Sequence, residues 1–106
     1  MYKLMNDASI KMKSIDGSHP IAICNGDVLF IDIIAEECKN IEVFGTNMYR
    51  GSSFTDAFKT VKEKLKIPIM LTEFGADSFN AIKNAEDQKM QAYYMVENWK
   101  DIYQNA

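Results

Sequence analysis

Two polar motifs could carry chemistry in this sequence, and each directly follows an apolar stretch. Asn47 and Tyr49 follow residues 41–46, and Glu73 follows residues 67–72. A carboxylate in such a position could be the nucleophile of a retaining glycosidase, which attacks the anomeric carbon of a sugar. A nearby tyrosine hydroxyl could hydrogen-bond that carboxylate and hold its orientation. On the chemistry alone, a cap or a salt bridge in the following loop is the more ordinary role for Glu73.

The elements that must position these residues alternate between helix and strand. Apolar spacing predicts three strands, at 21–24, 41–46 and 67–72, and four helices that alternate with them. The inward residues of the first three helices run from Leu4 to Ile15, from Phe30 to Cys38 and from Phe54 to Leu65, and Asp27 is the predicted cap of the second. The last helix is predicted at about 86–103, with Met95, Trp99 and Ile102 on one packed stripe. This alternation favours right-handed crossovers and a parallel sheet. Three such strands fit either a small open sheet or an arc of an eight-stranded barrel, and periodicity does not choose between them.

Parallel α/β folds place their active sites at the carboxyl ends of the strands. Both polar motifs lie just beyond such strand ends, so we expect Tyr49 and Glu73 to meet at one edge of the sheet. This shared location is the strongest internal indication of function.

The stretch 41–99 resembles the later part of the catalytic barrel of family 2 glycoside hydrolases, which include β-galactosidases, β-glucuronidases and β-mannosidases. In that family strand six ends in an Asn-x-Tyr pattern, which Asn47 and Tyr49 match. Strand seven ends in a Thr/Ser-Glu-Phe/Tyr-Gly pattern whose glutamate is the nucleophile, and residues 72–75 match it with Glu73. The His-Pro pair at 19–20 and the glutamine at 91 also suit the family.

The resemblance implies a fold and a set of roles. It implies that residues 1–106 are a single fragment of a partial (β/α)8 TIM barrel, running from helix 4 to helix 7 with parallel strands 5, 6 and 7. Glu73 is then the expected nucleophile and Tyr49 the residue that orients it, while Asn47 and Arg50 are expected to bind the carbohydrate substrate. A salt bridge within its loop is the other role left open for Arg50. No cofactor and no metal are implied.

The family's general acid/base is missing from the sequence. It is the glutamate of an Asn-Glu pair at the end of strand four, and no predicted strand end in this chain carries such a pair. The other acids, Asp27 among them, are expected on helices or at the opposite strand ends. Because a retaining mechanism needs two carboxyl groups, we expect the isolated chain to be inactive.

Composition and charge argue against several classes of partner, namely nucleic acid, membranes and zinc. The net charge of −3 supplies no basic field for nucleic acid, and polar residues interrupt every apolar run near the N-terminus, so no membrane segment is expected. Cys24 and Cys38, with His19 as the sole histidine, make a zinc site improbable, and we expect both cysteines to be buried. Open sheet edges predict a homo-oligomer or a domain-swapped assembly. A glucan-remodelling transglycosylase and a non-enzymatic small α/β binding module remain alternatives.

Overall fold

Three parallel strands form the main sheet of the structure, a computed structural model that describes residues 1–105. Their order in the sheet follows the chain, β1-β2-β3. The elements are α1 (Tyr2–Ile15), β1 (Ala22–Gly26), α2 (Ile31–Glu37), β2 (Val43–Met48), α3 (Ala57–Lys64), β3 (Ile69–Phe74), β4 (Phe79–Asn80), β5 (Ala85–Glu86) and α4 (Gln88–Asn105). The short strands β4 and β5 pair with each other as an antiparallel hairpin.

The predicted partial (β/α)8 TIM barrel, with strands 5, 6 and 7 between helix 4 and helix 7, is wrong. The chain is a small α/β fold with four helices, a three-stranded parallel sheet and a separate two-stranded antiparallel sheet. The antiparallel hairpin lies between β3 and α4, where the sequence predicted no strand. Strand–helix–strand units have the same local pattern in an open sheet and in a barrel, and only the number of strands and their closure separate the two folds.

One face of the sheet carries the core. Ile23, Phe44 and Ile69 lie side by side in the strand register and pack against apolar residues of α1, α2 and α3. A second cluster surrounds the buried Met48 and Phe54 near the carboxyl ends of the strands. The helices therefore cover this face, in agreement with right-handed crossovers between successive parallel strands.

The opposite face of the sheet is open. Ala22, Cys24, Met70 and Thr72 are all exposed on it. Cys24 and Cys38 are both free thiols, and only Cys38 is buried, so the expectation for Cys24 was wrong. Parallel sheets are usually covered on both faces, so the open face is unusual for this class of fold.

In both terminal helices, some of the apolar residues that were predicted to face inward face solvent instead, although Met5 and Ile102 do pack against the core. In α1, Leu4 is 72% exposed, whereas Tyr2 and Ser9 are buried. In α4, Trp99 is 62% exposed, whereas Asn98 is buried. Polar anchors explain the rotation of α1, since the Tyr2 hydroxyl donates to Asn25 Oδ1 at 3.0 Å.

The molecule is elongated. Its extents are 51 × 26 × 25 Å, and its radius of gyration of 16.3 Å exceeds the roughly 13 Å expected for a compact domain of this length. Its accessible surface of 7310 Å² also exceeds the roughly 6,000 Å² expected for a compact monomer of this mass. None of the helices in residues 1–105 is both long and apolar enough to span a membrane.

Gly45 permits the close pairing of β1 and β2. A Cβ atom at this position would collide with the backbone carbonyl of Ile23 and would also press on the Thr72 methyl group at 3.3 Å. The colliding atoms are backbone atoms of β1, held in the ladder with β2, and they cannot move aside as a side chain can. A residue without a side chain is therefore required here.

We expect Gly45→Ala to lower the free energy of unfolding by about 2–3 kcal/mol, because the added methyl group must displace strand backbone. Gly17→Ala is the matched control, since its nearest neighbour would be the Lys13 carbonyl at 3.8 Å, and we expect a change within about 0.5 kcal/mol. Urea denaturation of both variants measures the difference. Equal stability of the two variants would contradict this account of the β1–β2 contact.

Candidate functional site

Tyr49 and Glu73 meet at the carboxyl ends of two adjacent parallel strands. Tyr49 directly follows β2, and Glu73 lies near the end of β3. The Tyr49 hydroxyl donates a hydrogen bond of 2.9 Å to Glu73 Oε2. Both side chains are exposed, so the carboxylate is accessible to a ligand while the phenol restricts its orientation.

A β-bulge aims Glu73 towards the open face of the sheet. Thr46 pairs with Leu71 and Asn47 pairs with Glu73, so Thr72 is an extra residue in β3. The usual alternation of inward and outward side chains is interrupted there, and both Thr72 and Glu73 are exposed. Bulges often re-aim a side chain next to an active site, and this one places the carboxylate beside Asn47.

Asn47 lies opposite Glu73 in the strand register. Its Oδ1 accepts hydrogen bonds from the Thr72 hydroxyl and from Cys24 Sγ, the latter at 3.3 Å. These contacts fix the orientation of the amide. Within residues 1–105 the Asn47 amide nitrogen makes no hydrogen bond, which leaves it able to donate to a sugar hydroxyl.

The Tyr49 phenol is held in its protonated form. The hydrogen bond to Glu73 raises the pKa of Tyr49 above its ordinary value of 10.0, and desolvation and the negative charges of Glu73 and Asp77 raise it further. Loss of the phenol proton would place two negative charges side by side. Tyr49 therefore remains a hydrogen-bond donor at neutral pH.

A cleft of about 470 Å³ lies beside Tyr49 and is lined by Tyr49, Gly51, Gly75, Ala76, Asp77 and Tyr94, but not by Glu73 itself. A larger hollow of about 530 Å³ lies between α3 and the start of β3, where Lys59, Lys62 and apolar residues line it. That hollow lies far from the carboxyl ends of the strands and contains no acid. The cleft beside Tyr49 is therefore the better candidate for a substrate site.

Arg50 is engaged within the protein. Its Nε donates to both carboxylate oxygens of Asp27, at 2.9 and 3.1 Å, and a further nitrogen contacts the same carboxylate. Its Nη1 donates to the Phe54 carbonyl at 3.0 Å and contacts Asp56 at 3.2 Å. Of the two roles left open by the sequence, these contacts favour the salt bridge, and a contact between Arg50 and a sugar remains only a prediction.

Asp27 was misplaced by the sequence prediction. The residue before α2 is Phe30, in a left-handed conformation with φ 58°, and Asp27 does not cap that helix. Instead Asp27 lies directly after the carboxyl end of β1, on the same sheet edge as Tyr49 and Arg50. The sequence did contain a signal for this position: Asp27 closely follows the predicted strand at 21–24, and neighbouring parallel strands end at the same edge of a sheet.

Helix α4 holds the loops that come after both site residues. Gln91 Nε2 donates to the Ala76 carbonyl at 3.1 Å, and the buried Asn98 donates to the Gly51 carbonyl at 2.7 Å. Gly75 lies between β3 and Ala76, and its φ of +119° is a conformation that favours glycine. Only the position of Gln91 had been noted in the sequence; the role of Asn98 was missed, because a polar residue in a helix is usually expected to face solvent.

His19 lies at the opposite end of β1 from the site. Its Nδ1 contacts the Asp16 carboxylate and lies 3.1 Å from the Ser18 hydroxyl. The Ser18 contacts, followed by that of His19, lower the pKa of Asp16 to about 2. Residues 1–105 contain no group of three or more histidines, cysteines or acids that could hold a metal ion.

The Asp27–Arg50 ion pair should make stability depend on pH in the acid range. The hydrogen bond from Arg50 is the largest influence on Asp27 and lowers its pKa below the ordinary value of 3.8, while desolvation opposes the shift. A carboxyl group whose pKa is lower in the folded state stabilises the fold above its unfolded pKa. That stability is lost as the pH falls through the lowered pKa.

We therefore expect Asp27→Asn to lower the free energy of unfolding by about 1–2 kcal/mol between pH 5 and 8, with a difference that shrinks below about pH 3.8. Asp32→Asn is the control, since it removes an exposed pair with Lys64 and should change stability by less than about 0.5 kcal/mol. Urea titrations at several pH values provide the measurement. A loss that is the same at pH 7 and at pH 3 would assign the effect to packing and not to charge.

Comparisons of this chain with known proteins find no matching family model, no matching curated protein and no matching solved structure. The proposals for its function therefore rest on the site geometry and on the motifs of its own sequence.

Proposed function

We propose that this chain carries the nucleophile of a retaining β-glycosidase, with Glu73 attacking the anomeric carbon and Tyr49 orienting the carboxylate. The observation that carries the proposal is the 2.9 Å hydrogen bond between the Tyr49 hydroxyl and Glu73 at neighbouring strand ends. The resemblance of the motifs at 47–49 and 72–75 to family 2 glycoside hydrolases supports the same roles.

In the proposed reaction a Glu73 oxygen forms a bond to the anomeric carbon while the bond to the leaving oxygen breaks. The leaving oxygen takes a proton from a general acid, and water later cleaves the glycosyl ester. The hydrogen bond from Tyr49 restricts the rotation of the carboxylate, which lowers the entropic cost of reaching the attack geometry. Asn47, whose amide nitrogen lies on the same face, is proposed to contact a sugar hydroxyl.

The proposed general acid is not part of this chain, in line with the missing Asn-Glu pair. A retaining mechanism places its two carboxyl groups about 5–5.5 Å apart. Asp77 is the acid that lines the cleft beside Tyr49, and its charge acts on the Tyr49 phenol. The experiments must therefore check whether Asp77 itself acts as the general acid.

Two alternatives to a hydrolase remain: a transglycosylase, which differs in where the sugar goes, and a binding module, in which Glu73 attacks nothing. A glucan-remodelling transglycosylase forms the same glycosyl intermediate and passes the sugar to another sugar instead of water. A non-enzymatic α/β binding module would leave Glu73 unreactive. The match of the motifs at 47–49 and 72–75 to a nucleophile and its orienting tyrosine is what favours the two enzymatic roles, since an oriented and accessible carboxylate would also suit a binding module.

We expect 2-deoxy-2-fluoro-β-glycosyl fluorides to label Glu73. Fluoride departs without protonation, so the carboxylate can displace it in the absence of a general acid, and the 2-fluoro group slows cleavage of the ester. A panel of gluco, galacto, manno and glucurono compounds covers the sugar classes of the resemblance. Intact-protein mass spectrometry should show one added glycosyl group, and peptide mapping should locate it on Glu73.

Glu73→Gln should abolish this labelling, and Glu63→Gln, which changes an exposed glutamate of α3, should leave it unchanged. Tyr49→Phe should slow labelling about 10-fold or more because the carboxylate loses its orienting donor. Absence of labelling with every sugar would contradict the proposal and favour the binding module.

Turnover of aryl β-glycosides by the isolated chain is expected to be absent, because no second carboxylate activates the water that must cleave the glycosyl ester on Glu73. Activity that disappears in Asp77→Asn, with labelling of Glu73 retained, would identify Asp77 as the acid and correct that part of the proposal. The assay compares sustained release of nitrophenol, beyond one equivalent per chain, from nitrophenyl glycosides by the unmodified chain and by the variant.

A further inference from the structure

Helix α4 packs on the protein with a mainly polar side, to which Ile102 adds an apolar contact with the cluster around Met48 and Phe54. Gln91 and Asn98 face the site loops, and Asp101 accepts a hydrogen bond of 2.7 Å from the Phe54 amide. The side that points away carries Val96, Trp99 and Tyr103, which are 52%, 62% and 80% exposed. Surface helices normally bury their apolar side, so this orientation leaves an apolar face uncovered by residues 1–105.

The uncovered side has the spacing of a helix–helix contact. Ala92, Val96, Trp99 and Tyr103 follow one another at intervals of four, three and four residues, which places them along one line of the helix. We name these four residues the α4 seam. Tryptophan and tyrosine are enriched at the centres of protein interfaces.

We infer that the α4 seam is the docking surface for a second copy of this chain, with the two α4 helices antiparallel about a two-fold axis. In this arrangement Trp99 lies opposite Val96 of the partner subunit, and Tyr103 lies opposite Ala92 of the partner subunit. Each bulky aromatic residue then meets a smaller side chain, as interdigitated packing requires. A parallel arrangement would set each residue against its own copy, Trp99 against Trp99.

The charges beside the seam are compatible with self-association. In the antiparallel arrangement Lys100 lies opposite Met95 of the partner subunit, so no two lysines face each other. Lys100 is also neutralised within its own helix by Glu97, at 2.7 Å. A two-fold contact of this kind closes on itself and does not propagate into a filament.

The surface area of the chain matches what a stable dimer needs. The accessible surface of 7310 Å² is about 1,300 Å² larger than expected for a compact monomer of this mass. A standard protein–protein interface buries about 800 Å² on each partner. The excess of the whole chain is thus as large as one side of such an interface, and the exposed Val96, Trp99 and Tyr103 contribute to it.

The first test is the oligomeric state of the unmodified chain and of two matched variants. Sedimentation equilibrium should show a dimer, and Val96→Glu should raise its dissociation constant at least about 100-fold, because a charge enters the seam of both copies. Met12→Glu is the control, since Met12 is 51% exposed on the apolar side of α1 and should change the constant by less than about 3-fold. Circular dichroism confirms that both variants keep their helices.

Trp99 provides a second readout because it is the sole tryptophan of the chain. Its emission should move to longer wavelength on dilution, as the indole leaves the interface for water. The same dilution of Val96→Glu should produce no change, since its Trp99 is exposed throughout.

Cross-linking tests the direction of the helices. On a Cys24→Ser background, Ala92→Cys mixed with Tyr103→Cys should form a mixed disulfide dimer, and Ala92→Cys alone should form none. Disulfides of Ala92→Cys with itself would overturn the antiparallel arrangement.

Two outcomes would overturn the inference as a whole. A monomer at all concentrations, with the emission of an exposed indole, would leave the seam to a different protein or to another part of a longer chain. A dimer that Met12→Glu dissociates and Val96→Glu does not would place the interface on α1.

Discussion

A half-buried ion pair between Asp27 and Arg50 connects three parts of the sheet edge at which the candidate site lies. Asp27 follows β1, Arg50 follows β2, and the same guanidinium reaches the Phe54 carbonyl before α3. The Asp27 amide also donates to the Asn47 carbonyl at 2.9 Å, so the two strand ends are joined by charge and by backbone. The loop that begins at Tyr49 is therefore restrained at its first residues, and the phenol that contacts Glu73 projects from a defined position.

The candidate site combines this restraint with an irregular strand. The bulge at Thr72 interrupts the alternation of β3 and allows Glu73 to lie on the open face beside Asn47. An exposed carboxylate in regular structure usually has freedom to rotate, but here a neutral phenol limits that freedom without neutralising the charge. Such an arrangement is suited to a nucleophile, which must be both ionised and oriented. A cap or a buried salt bridge would have removed the carboxylate from solvent.

The last helix serves the site from its polar side and leaves its apolar side outward. Asn98 and Gln91 satisfy backbone carbonyls in the two loops that come after Tyr49 and Glu73. Because Asn98 is buried, rotating α4 to bury Trp99 instead would expose those hydrogen bonds or leave them unmade, at a cost of about 1–3 kcal/mol for each buried group. The structure of the site and the exposure of the α4 seam thus have a common origin, which links the candidate chemistry to the surface proposed for self-association.

The sequence by itself determined the helix and strand order, the parallel sheet and the meeting of Tyr49 with Glu73, because apolar periodicity and strand direction are local properties. It placed Asp27 on a helix, and it put Leu4 and Trp99 on the buried sides of α1 and α4, because the orientation of these helices is set by hydrogen bonds to distant residues, such as Tyr2 to Asn25 and Asn98 to Gly51. It also favoured a barrel arc over the open sheet with its added hairpin, since a strand–helix–strand unit has the same local pattern in both folds. Closure, helix rotation and the Asp27–Arg50 contact depend on residues that are far apart in the chain, and only the tertiary structure brings those residues together.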